Sequence, residues 1–175
     1  MPGRAAPAVP STVRLFLALW PSDATRAALL ARAQSWAWPA AARPTPPERL
    51  HLTLHFLGSV DAGLVPALQK GLDLAWDGCE LLLDRPQVWP GGIAVLEAGE
   101  TPSDLARLHA RLGERLAGIG LPVDVRRYRP HVTLARKAFG AQPAPAPVRW
   151  QARPGFALVQ SLPGGRGYEN LQLFG

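Results

Sequence analysis

The chain carries one four-residue pattern twice, as H-L-T-L at residues 51–54 and as H-V-T-L at residues 131–134. Each copy lies in a short run of apolar residues, which is typical of a β-strand. Residues i and i+2 of a strand point to the same face and lie about 6–7 Å apart, while the residue between them points to the opposite face. Each copy therefore places a histidine and a threonine on one face. If the two strands are neighbours, two imidazoles and two hydroxyls meet around a patch the size of a phosphate group.

Two histidines and two threonines suit acid–base chemistry at a phosphodiester. An imidazole titrates near pH 6.5, so one of His51 and His131 can act as the base while the other acts as the acid. The hydroxyls of Thr53 and Thr133 can donate hydrogen bonds to the nonbridging oxygens, which gain negative charge in the transition state. Arg136 would add a positive charge if its strand bends there. The pattern thus predicts a catalytic site for phosphodiesters.

The rest of the sequence predicts an α+β fold. Apolar runs and turn signals predict strands over residues 13–19, 50–57, 80–83, 93–97, 131–135, 156–161 and 168–174. Helices are expected over residues 23–36, 61–76 and 102–118, with Ser22 as the N-cap of the first. Each half of the chain then contributes a helix and a motif strand. We therefore expect an internal duplication with a central cleft and helices on one face of a sheet.

The composition is that of a globular chain of 175 residues, 47% hydrophobic and 18% charged. We expect a disordered leader rich in Pro, Ala and Gly over residues 1–11 and a single domain over residues 12–175. No apolar run reaches the length of a membrane span, and the first residues lack the apolar centre of a signal peptide. Cys79 is alone, so neither a disulfide nor a cysteine metal site is expected. The expectation is a cytoplasmic monomer without a cofactor.

The net charge of +6 favours a polyanionic partner such as RNA. A general bias towards Ala, Pro, Gly and Arg accounts for that charge equally well. A non-catalytic protein could also bind single-stranded RNA through its basic residues and stacking aromatic rings. The aromatic candidates for such binding are Trp36, Trp38, Trp89, Tyr128 and Trp150.

A zinc site is a second alternative on the residues alone. His51 and His55 would share a strand face, and together with His131 they would supply the three nitrogens of a catalytic zinc site. However, position 135 of the second copy is Ala, and no Asp, Glu or Cys accompanies the histidines to orient them. Turnover of a cyclic nucleotide, with and without a chelator, would distinguish these possibilities.

Beyond the two motifs, longer stretches resemble the two-histidine (2H) phosphoesterases, in the branch of the bacterial RNA 2′,3′-cyclic phosphodiesterases, also called 2′–5′ RNA ligase-like proteins. The stretches are R-L-F-L-A-L at 14–19, L-H-L-T-L-H-F-L-G at 50–58, R-P-H-V-T-L-A-R at 129–136 and F-A-L-V-Q-S-L at 156–162. A Gly-rich turn and Tyr168 follow the last of them. The resemblance covers nearly the whole chain after the leader.

This resemblance implies a bilobal α+β fold with two pseudo-duplicated sheet-plus-helix lobes. It also implies metal-independent opening of a 2′,3′-cyclic phosphate on RNA, which leaves a 2′-phosphate. His51 would be the proton donor and His131 the proton acceptor. The implied substrates are RNA with a 2′,3′-cyclic phosphate end or small cyclic nucleotides, and 2′–5′ ligation of RNA ends is a secondary activity of some relatives.

The resemblance further implies roles for the residues around the histidines. Thr53 and Thr133 would bind the phosphate. Arg136 matches a basic residue that the family often places after the second motif. His55 stands where many relatives carry Arg or Lys, so it is expected to bind substrate with a weaker, pH-dependent positive charge.

Overall fold

The computed structural model describes residues 11–175, and in this part of the chain nine strands form one antiparallel sheet. The strands are β1 (Thr12–Leu19), β2 (Arg43–Pro44), β3 (Leu52–Asp61), β4 (Cys79–Trp89), β5 (Ile93–Ala98), β6 (His131–Arg136), β7 (Val148–Ala152), β8 (Phe156–Ser161) and β9 (Tyr168–Phe174). The same residues form the helices α1 (Asp23–Gln34), α2 (Val65–Gly71) and α3 (Ser103–Gly118). No helix in residues 11–175 is both long and apolar enough to cross a lipid bilayer.

The sheet consists of two halves that meet at the two motif strands. The strand order is β7-β4-β5-β6-β3-β1-β8-β9, and the two-residue strand β2 pairs with the end of β6. β3 and β6 are joined in register at Leu52 and Val132, whose side chains are fully buried. The two copies of the motif therefore lie side by side at the centre of the sheet.

Leucine side chains fill the layer between the sheet and the helices. In α3 an apolar stripe is buried, because Leu105, Leu108, Leu112 and Leu116 recur every three or four positions and share one helix face. α1 begins after Ser22, whose hydroxyl accepts an amide hydrogen bond from the first turn, as predicted. α1 follows β1 but contacts β7, and α3 follows β5 but contacts β3. Each of these helices thus packs against a strand of the other half.

Several element boundaries differ from the prediction. The helix predicted over residues 61–76 is much shorter, because Pro66 stands in its first turn and α2 ends at Gly71. β3 does not end at Gly58, since this glycine adopts a φ of +72° beside a bulge and the strand continues to Asp61. β4 is longer than predicted, and β7 is missing from the prediction.

The predicted leader lies at the edge of the described residues. Of residues 1–11, only Ser11 is described, and β1 begins at the next residue, Thr12. The division of the chain into a leader and a single domain over residues 12–175 stays a prediction.

Candidate active site

Four motif side chains surround the central register pair of β3 and β6. In an antiparallel pair, this register sets His51 opposite Thr133, and it sets Thr53 opposite His131. The paired leucine and valine point into the core, so the residues that flank them point to the other face, where all four line a cleft. The two histidines occupy diagonal positions, roughly 7–8 Å apart. A group bound between them would meet one imidazole on each side.

Both motif strands carry a β-bulge directly after the motif threonine. On β3 the extra residue is Leu54, where two residues advance along β3 for one residue of β1. On β6 the extra residue is Leu134, where two residues advance for one residue of β5. A bulge inserts one residue into a strand, so the two faces are exchanged beyond it.

The two bulges decide which of the following side chains reach the cleft. Simple alternation would bring residues 55 and 135 to the side of the threonines. With the bulges, Phe56 and Arg136 line the cleft, whereas His55 and Ala135 are buried on the opposite face. Arg136 therefore reaches the cleft through a bend in its strand. The expectation that His55 binds substrate in this cleft is corrected, because the bulge turns its side chain into the core.

His55 belongs instead to a stack of three rings outside the cleft. Its Nε2 lies 2.8 Å from the carbonyl oxygen of His109, and the centroids of the two imidazoles are 4.0 Å apart. His109 stacks in turn on Tyr128, with centroids 3.9 Å apart. Burial and the neighbouring imidazole lower the pKa of His109 to about 4, and burial also lowers the pKa of His55. Both rings are therefore largely neutral at pH 7.

The same bulge separates the histidines of the zinc alternative. That alternative needs His51, His55 and His131 on one strand face, and His55 lies on the other. Within residues 11–175, no group of three or more His, Cys, Asp or Glu side chains is arranged to hold a metal ion. The described residues do not assemble the three-nitrogen site that the zinc alternative requires.

A backbone carbonyl fixes the same ring nitrogen of each cleft histidine. The Nδ1 of His51 lies 2.6 Å from the carbonyl oxygen of Arg49, and the Nδ1 of His131 lies 2.7 Å from that of Arg129. Because a carbonyl oxygen only accepts, the proton of each neutral ring sits on Nδ1 and the lone pair on Nε2. Each Nε2 can take up a proton as a base, or donate one as an acid when the ring is cationic.

A hydroxyl from another segment holds the backbone carbonyl of each motif threonine. The Tyr128 hydroxyl donates to the carbonyl of Thr53 at 3.0 Å, and the Thr45 hydroxyl donates to the carbonyl of Thr133 at 2.8 Å. The Thr45 amide also donates to the carbonyl of the bulge residue Leu134. Tyr128 precedes β6 and Thr45 precedes β3, so each supporting hydroxyl comes from the segment that leads into the other motif strand.

The charged neighbours of the two histidines differ. Burial lowers the pKa of both imidazoles, and the hydrogen bond to a backbone carbonyl offsets part of this shift in each. The positive charges of His131 and Arg136 lower the pKa of His51 further. The Glu97 carboxylate raises the pKa of His131, against an opposing effect of Arg129. In the free protein, these charges favour the cation at His131 over the cation at His51.

The Trp89 indole and the ion pair between Arg129 and Glu97 lie beside His131. Its ring centroid lies 4.4 Å from that of Trp89, and the Arg129 guanidinium lies 4.6 Å from the Trp89 centroid. Arg129 also forms two hydrogen bonds of 2.7 Å with Glu97, which is buried and is the register partner of His131 on β5. The sequence does not reveal this group, because Trp89 and Glu97 come from strands distant in sequence from the motif.

His51 is surrounded by aromatic rings. The centroid of His51 lies 4.9 Å from that of Phe16, 5.6 Å from that of Trp20 and 5.5 Å from that of Tyr168. No motif in the sequence predicts a role for these three side chains. The family resemblance includes the stretch that contains Phe16, and it includes Tyr168 after the Gly-rich turn, but it does not include Trp20.

The cleft has a volume of about 820 Å³ and is strongly basic. Four arginines line it, namely Arg14, Arg43, Arg49 and Arg136. No Asp or Glu from residues 11–175 lines it. A concave surface with one sign of charge attracts ligands of the opposite sign, so the cleft suits an anion.

The aromatic residues expected for non-catalytic RNA binding do not form a stacking surface. Trp36 and Trp150 are core residues, only 4% and 1% exposed. Trp38 stacks on Trp36, Tyr128 belongs to the histidine stack, and Trp89 packs on a cleft histidine. Their positions give that alternative no support.

Comparison with known proteins gives consistent matches. The family model of the 2′-5′ RNA ligase superfamily matches residues 20–158. The RNA 2′,3′-cyclic phosphodiesterase of Escherichia coli strain K12 is 34% identical over 117 residues, 62% of this chain and 63% of that protein. The match thus spans less than two thirds of that curated relative.

Solved structures match over nearly the whole length. The crystal structure of E. coli LigT in apo form has 30% sequence identity and a TM-score of 0.79, and the match covers 94% of this chain and 97% of that one. The structure of E. coli LigT complexed with 3′-AMP has 27% identity and a TM-score of 0.76, over 93% and 97% of the two chains. These matches confirm the predicted family and the bilobal α+β fold.

Proposed function

Because the chain belongs to the 2′-5′ RNA ligase superfamily, we propose that it hydrolyses the terminal 2′,3′-cyclic phosphate of RNA and leaves a 2′-phosphate. The name of the E. coli relative, an RNA 2′,3′-cyclic phosphodiesterase, supports this proposal, as does the 3′-AMP complex of LigT. The observation that carries it is the paired geometry of the cleft. In a basic cleft, the two imidazoles occupy diagonal positions of the strand pair, and the two threonine hydroxyls occupy the other two positions. The Nδ1 of each imidazole is bonded to a backbone carbonyl, so Nε2 can exchange a proton with the substrate or water.

The proposed reaction is an in-line displacement at phosphorus. One imidazole takes a proton from water through its Nε2, and the water oxygen forms a bond to phosphorus. The bond between phosphorus and O3′ breaks on the opposite side, and the other imidazole, as the cation, gives O3′ a proton. The phosphate stays on O2′. Each histidine ends in the protonation state in which the other began, and proton exchange with solvent restores the enzyme.

The remaining cleft residues stabilise charge in this scheme. The hydroxyls of Thr53 and Thr133 donate to the two nonbridging oxygens, and the guanidinium of Arg136, farther along β6, adds a positive charge to the same cleft. These groups are positioned before the reaction begins, because the supporting hydroxyls hold the backbone of both threonines. We therefore propose that the reaction needs no metal ion, and turnover that survives exhaustive chelation with EDTA tests this.

The two histidines are related by local symmetry, so either can serve in either role. The family resemblance assigns proton donation to His51 and proton acceptance to His131. In the free enzyme the Glu97 carboxylate opposes the lowering of the His131 pKa by burial, so proton donation by His131 fits the charges equally well. A substrate with sulfur in place of O3′ distinguishes the two, since a thiolate leaves without a proton. Such a substrate restores activity to the alanine variant of the donor and not to that of the acceptor.

Ligation would use the same steps with another nucleophile. If the 5′-hydroxyl of a second RNA replaces water, its oxygen bonds to phosphorus, O3′ leaves, and the product is a 2′–5′ linkage. We propose this as a secondary activity. Both motif copies come from one chain, which supports a monomer as the active unit.

Short oligonucleotides with defined ends test the proposed function. We expect turnover of RNA ending in a 2′,3′-cyclic phosphate and no change in RNA ending in a 2′- or 3′-phosphate. Products are resolved by linkage, and a 2′-phosphate is expected. A 3′-phosphate product would contradict the proposed orientation of the substrate, and tight RNA binding without turnover would favour the non-catalytic alternative.

A further inference from the structure

The cleft carries more positive charge than the reacting phosphate needs. A 2′,3′-cyclic phosphodiester has a single negative charge, whereas four arginines line the cleft without an acidic residue from residues 11–175. Two of the four already have partners. Arg49 donates to the carbonyl of Gly165 at 2.7 Å, and the Arg14 guanidinium lies 5.1 Å from the centroid of Phe56.

The other two arginines, Arg43 and Arg136, face each other across β2 and β6. They are register partners in this antiparallel pair, and both are exposed. Within residues 11–175, no ion pair includes either side chain. Like charges directly opposite each other destabilise a sheet. An anion bound between the two guanidinium groups would relieve that repulsion.

The backbone fixes this arginine pair relative to the reacting phosphate. The bulge at Leu134 turns Arg136 into the cleft. Thr45, two residues after Arg43, donates through its hydroxyl to the Thr133 carbonyl and through its amide to the Leu134 carbonyl, both at 2.8 Å. Arg136 lies three residues beyond Thr133, roughly 7–10 Å along β6. A chain of two nucleotides can span that separation.

We propose that Arg43 and Arg136 form a second phosphate site, which binds the internucleotide phosphodiester on the 5′ side of the terminal nucleotide. This inference rests on the proposed function, because it concerns the substrate of the same cleft. A planar guanidinium can donate two parallel hydrogen bonds to phosphate oxygens, so two facing arginines suit a diester. The preferred substrate is then an oligonucleotide, and a nucleoside 2′,3′-cyclic phosphate is a poorer one.

Three substrates test the site in the wild-type protein. They are adenosine 2′,3′-cyclic phosphate, the same compound with a 5′-phosphate, and the dinucleotide ApA ending in a 2′,3′-cyclic phosphate. We expect kcat/KM to be highest for the dinucleotide, on the order of 10-fold above the nucleoside, as charge-assisted hydrogen bonds in a cleft provide. A 5′-phosphorylated nucleoside that matches or exceeds the dinucleotide would overturn the assignment to an internucleotide diester.

A charge-removing variant then locates the site. Arg43→Gln should lower kcat/KM for the dinucleotide on the order of 10-fold, whereas kcat/KM for the nucleoside should stay nearly the same. The ratio of the two values therefore falls by the same factor. It should also reduce the slope of log kcat/KM against log salt by about 0.7 for the dinucleotide. Arg107→Gln is the matched control, because it removes one exposed positive charge on α3, outside the cleft. Circular dichroism establishes that both variants are folded.

The outcomes distinguish a failure of the proposed function from a failure of the proposed second phosphate site. A wild type that turns over none of the three substrates contradicts the proposed function itself. A wild type that turns over all three without preference overturns only the second site. Retention of the dinucleotide preference in Arg43→Gln would overturn it as well, as would an equal loss on both substrates.

Discussion

Leu52 on β3 and Val132 on β6 are register partners, and they mark the centre of symmetry of the cleft. Each is flanked by the histidine and the threonine of its own motif. Because the strands are antiparallel, the contact places each histidine beside the threonine of the other copy. Two identical patterns thereby produce a site with one imidazole at each end, which in-line chemistry requires.

Removal of either cleft histidine should abolish turnover without unfolding the protein. General acid or base catalysis typically contributes about 10²–10⁴-fold, so His51→Ala and His131→Ala should each lower kcat/KM by at least that factor. Initial rates on a cyclic-phosphate oligonucleotide, with thermal unfolding as the control for structure, provide the measurement. Near-normal rates in either variant would rule out the two-histidine mechanism.

Removal of a motif hydroxyl should slow the reaction at nearly constant shape. Thr53→Val and Thr133→Val each delete one donor to a nonbridging oxygen, and loss of such a donor typically costs about 10²–10³-fold in kcat. Thr101→Val, in the loop before α3, is a control outside the cleft. If the cleft variants behave like the control, the two threonines serve strand structure alone.

The supporting hydroxyl of Tyr128 should contribute to stability more than to chemistry. Tyr128→Phe keeps the ring stacked on His109 but leaves the Thr53 carbonyl without this donor. A typical intramolecular hydrogen bond contributes about 0.5–1.5 kcal/mol, so the free energy of unfolding in urea should fall by about 1 kcal/mol. kcat should fall less than in Thr53→Val. An unchanged unfolding free energy would show that the hydrogen bond contributes nothing.

The pH dependence of kcat/KM should be bell-shaped with an acidic optimum. The base must be neutral, so the rate falls as pH drops below its pKa; the acid must be protonated, so the rate falls as pH rises above its pKa. Burial lowers the pKa of both His51 and His131 below the ordinary value of 6.5. The optimum in the free enzyme should therefore lie below pH 6.5. The two limbs belong to the coupled pair, and an optimum well above pH 7 would contradict these shifts.

Glu97→Gln should identify the limb that His131 controls. The Glu97 carboxylate raises the pKa of His131, so its removal should move one limb to lower pH. Movement of the acidic limb shows that His131 has the lower pKa of the pair, and movement of the alkaline limb shows that it has the higher pKa. The substrate with sulfur in place of O3′ then assigns the roles of base and acid. Glu80→Gln is the matched control, because Glu80 also pairs with an arginine on the sheet but is exposed and outside the cleft. Two unshifted limbs would exclude an electrostatic role for Glu97.

The sequence predicts the centre of the site because strand alternation holds there. His51 and Thr53 are separated by one residue without a bulge, as are His131 and Thr133, so the expected shared face is present. The alternation of side chains between the two faces of the strand fails directly after Thr53 and Thr133. The bulge at Leu54 depends on how β3 pairs with β1, and no local pattern in an apolar run encodes that pairing. This is why His55 is buried.

The supporting residues could not be predicted for a related reason. Thr45 and Tyr128 act through contacts that span 88 and 75 positions of the sequence. Glu97 reaches the surroundings of His131 only because β5 is the neighbour of β6. Such contacts follow from strand order, which the duplicated motif specifies at the centre of the sheet but not at its flanks.

The segment that leads into each motif strand supplies the hydroxyl that holds the threonine carbonyl of the other motif strand. The half built from β4 to β7 is one continuous segment, residues 79–152, whereas the other half consists of two segments, one before it and one after it. If the chain were cut at these limits, the central fragment would keep the histidine and threonine of one motif. Thr45 would stay with the outer fragments, and Tyr128 would stay with the central one. Neither half could then hold its own threonine carbonyl, and each would carry the hydroxyl that the other lacks. The repeat seen in the sequence is, in three dimensions, an exchange of supporting groups between the halves, and only reassembly of all the fragments would complete the site.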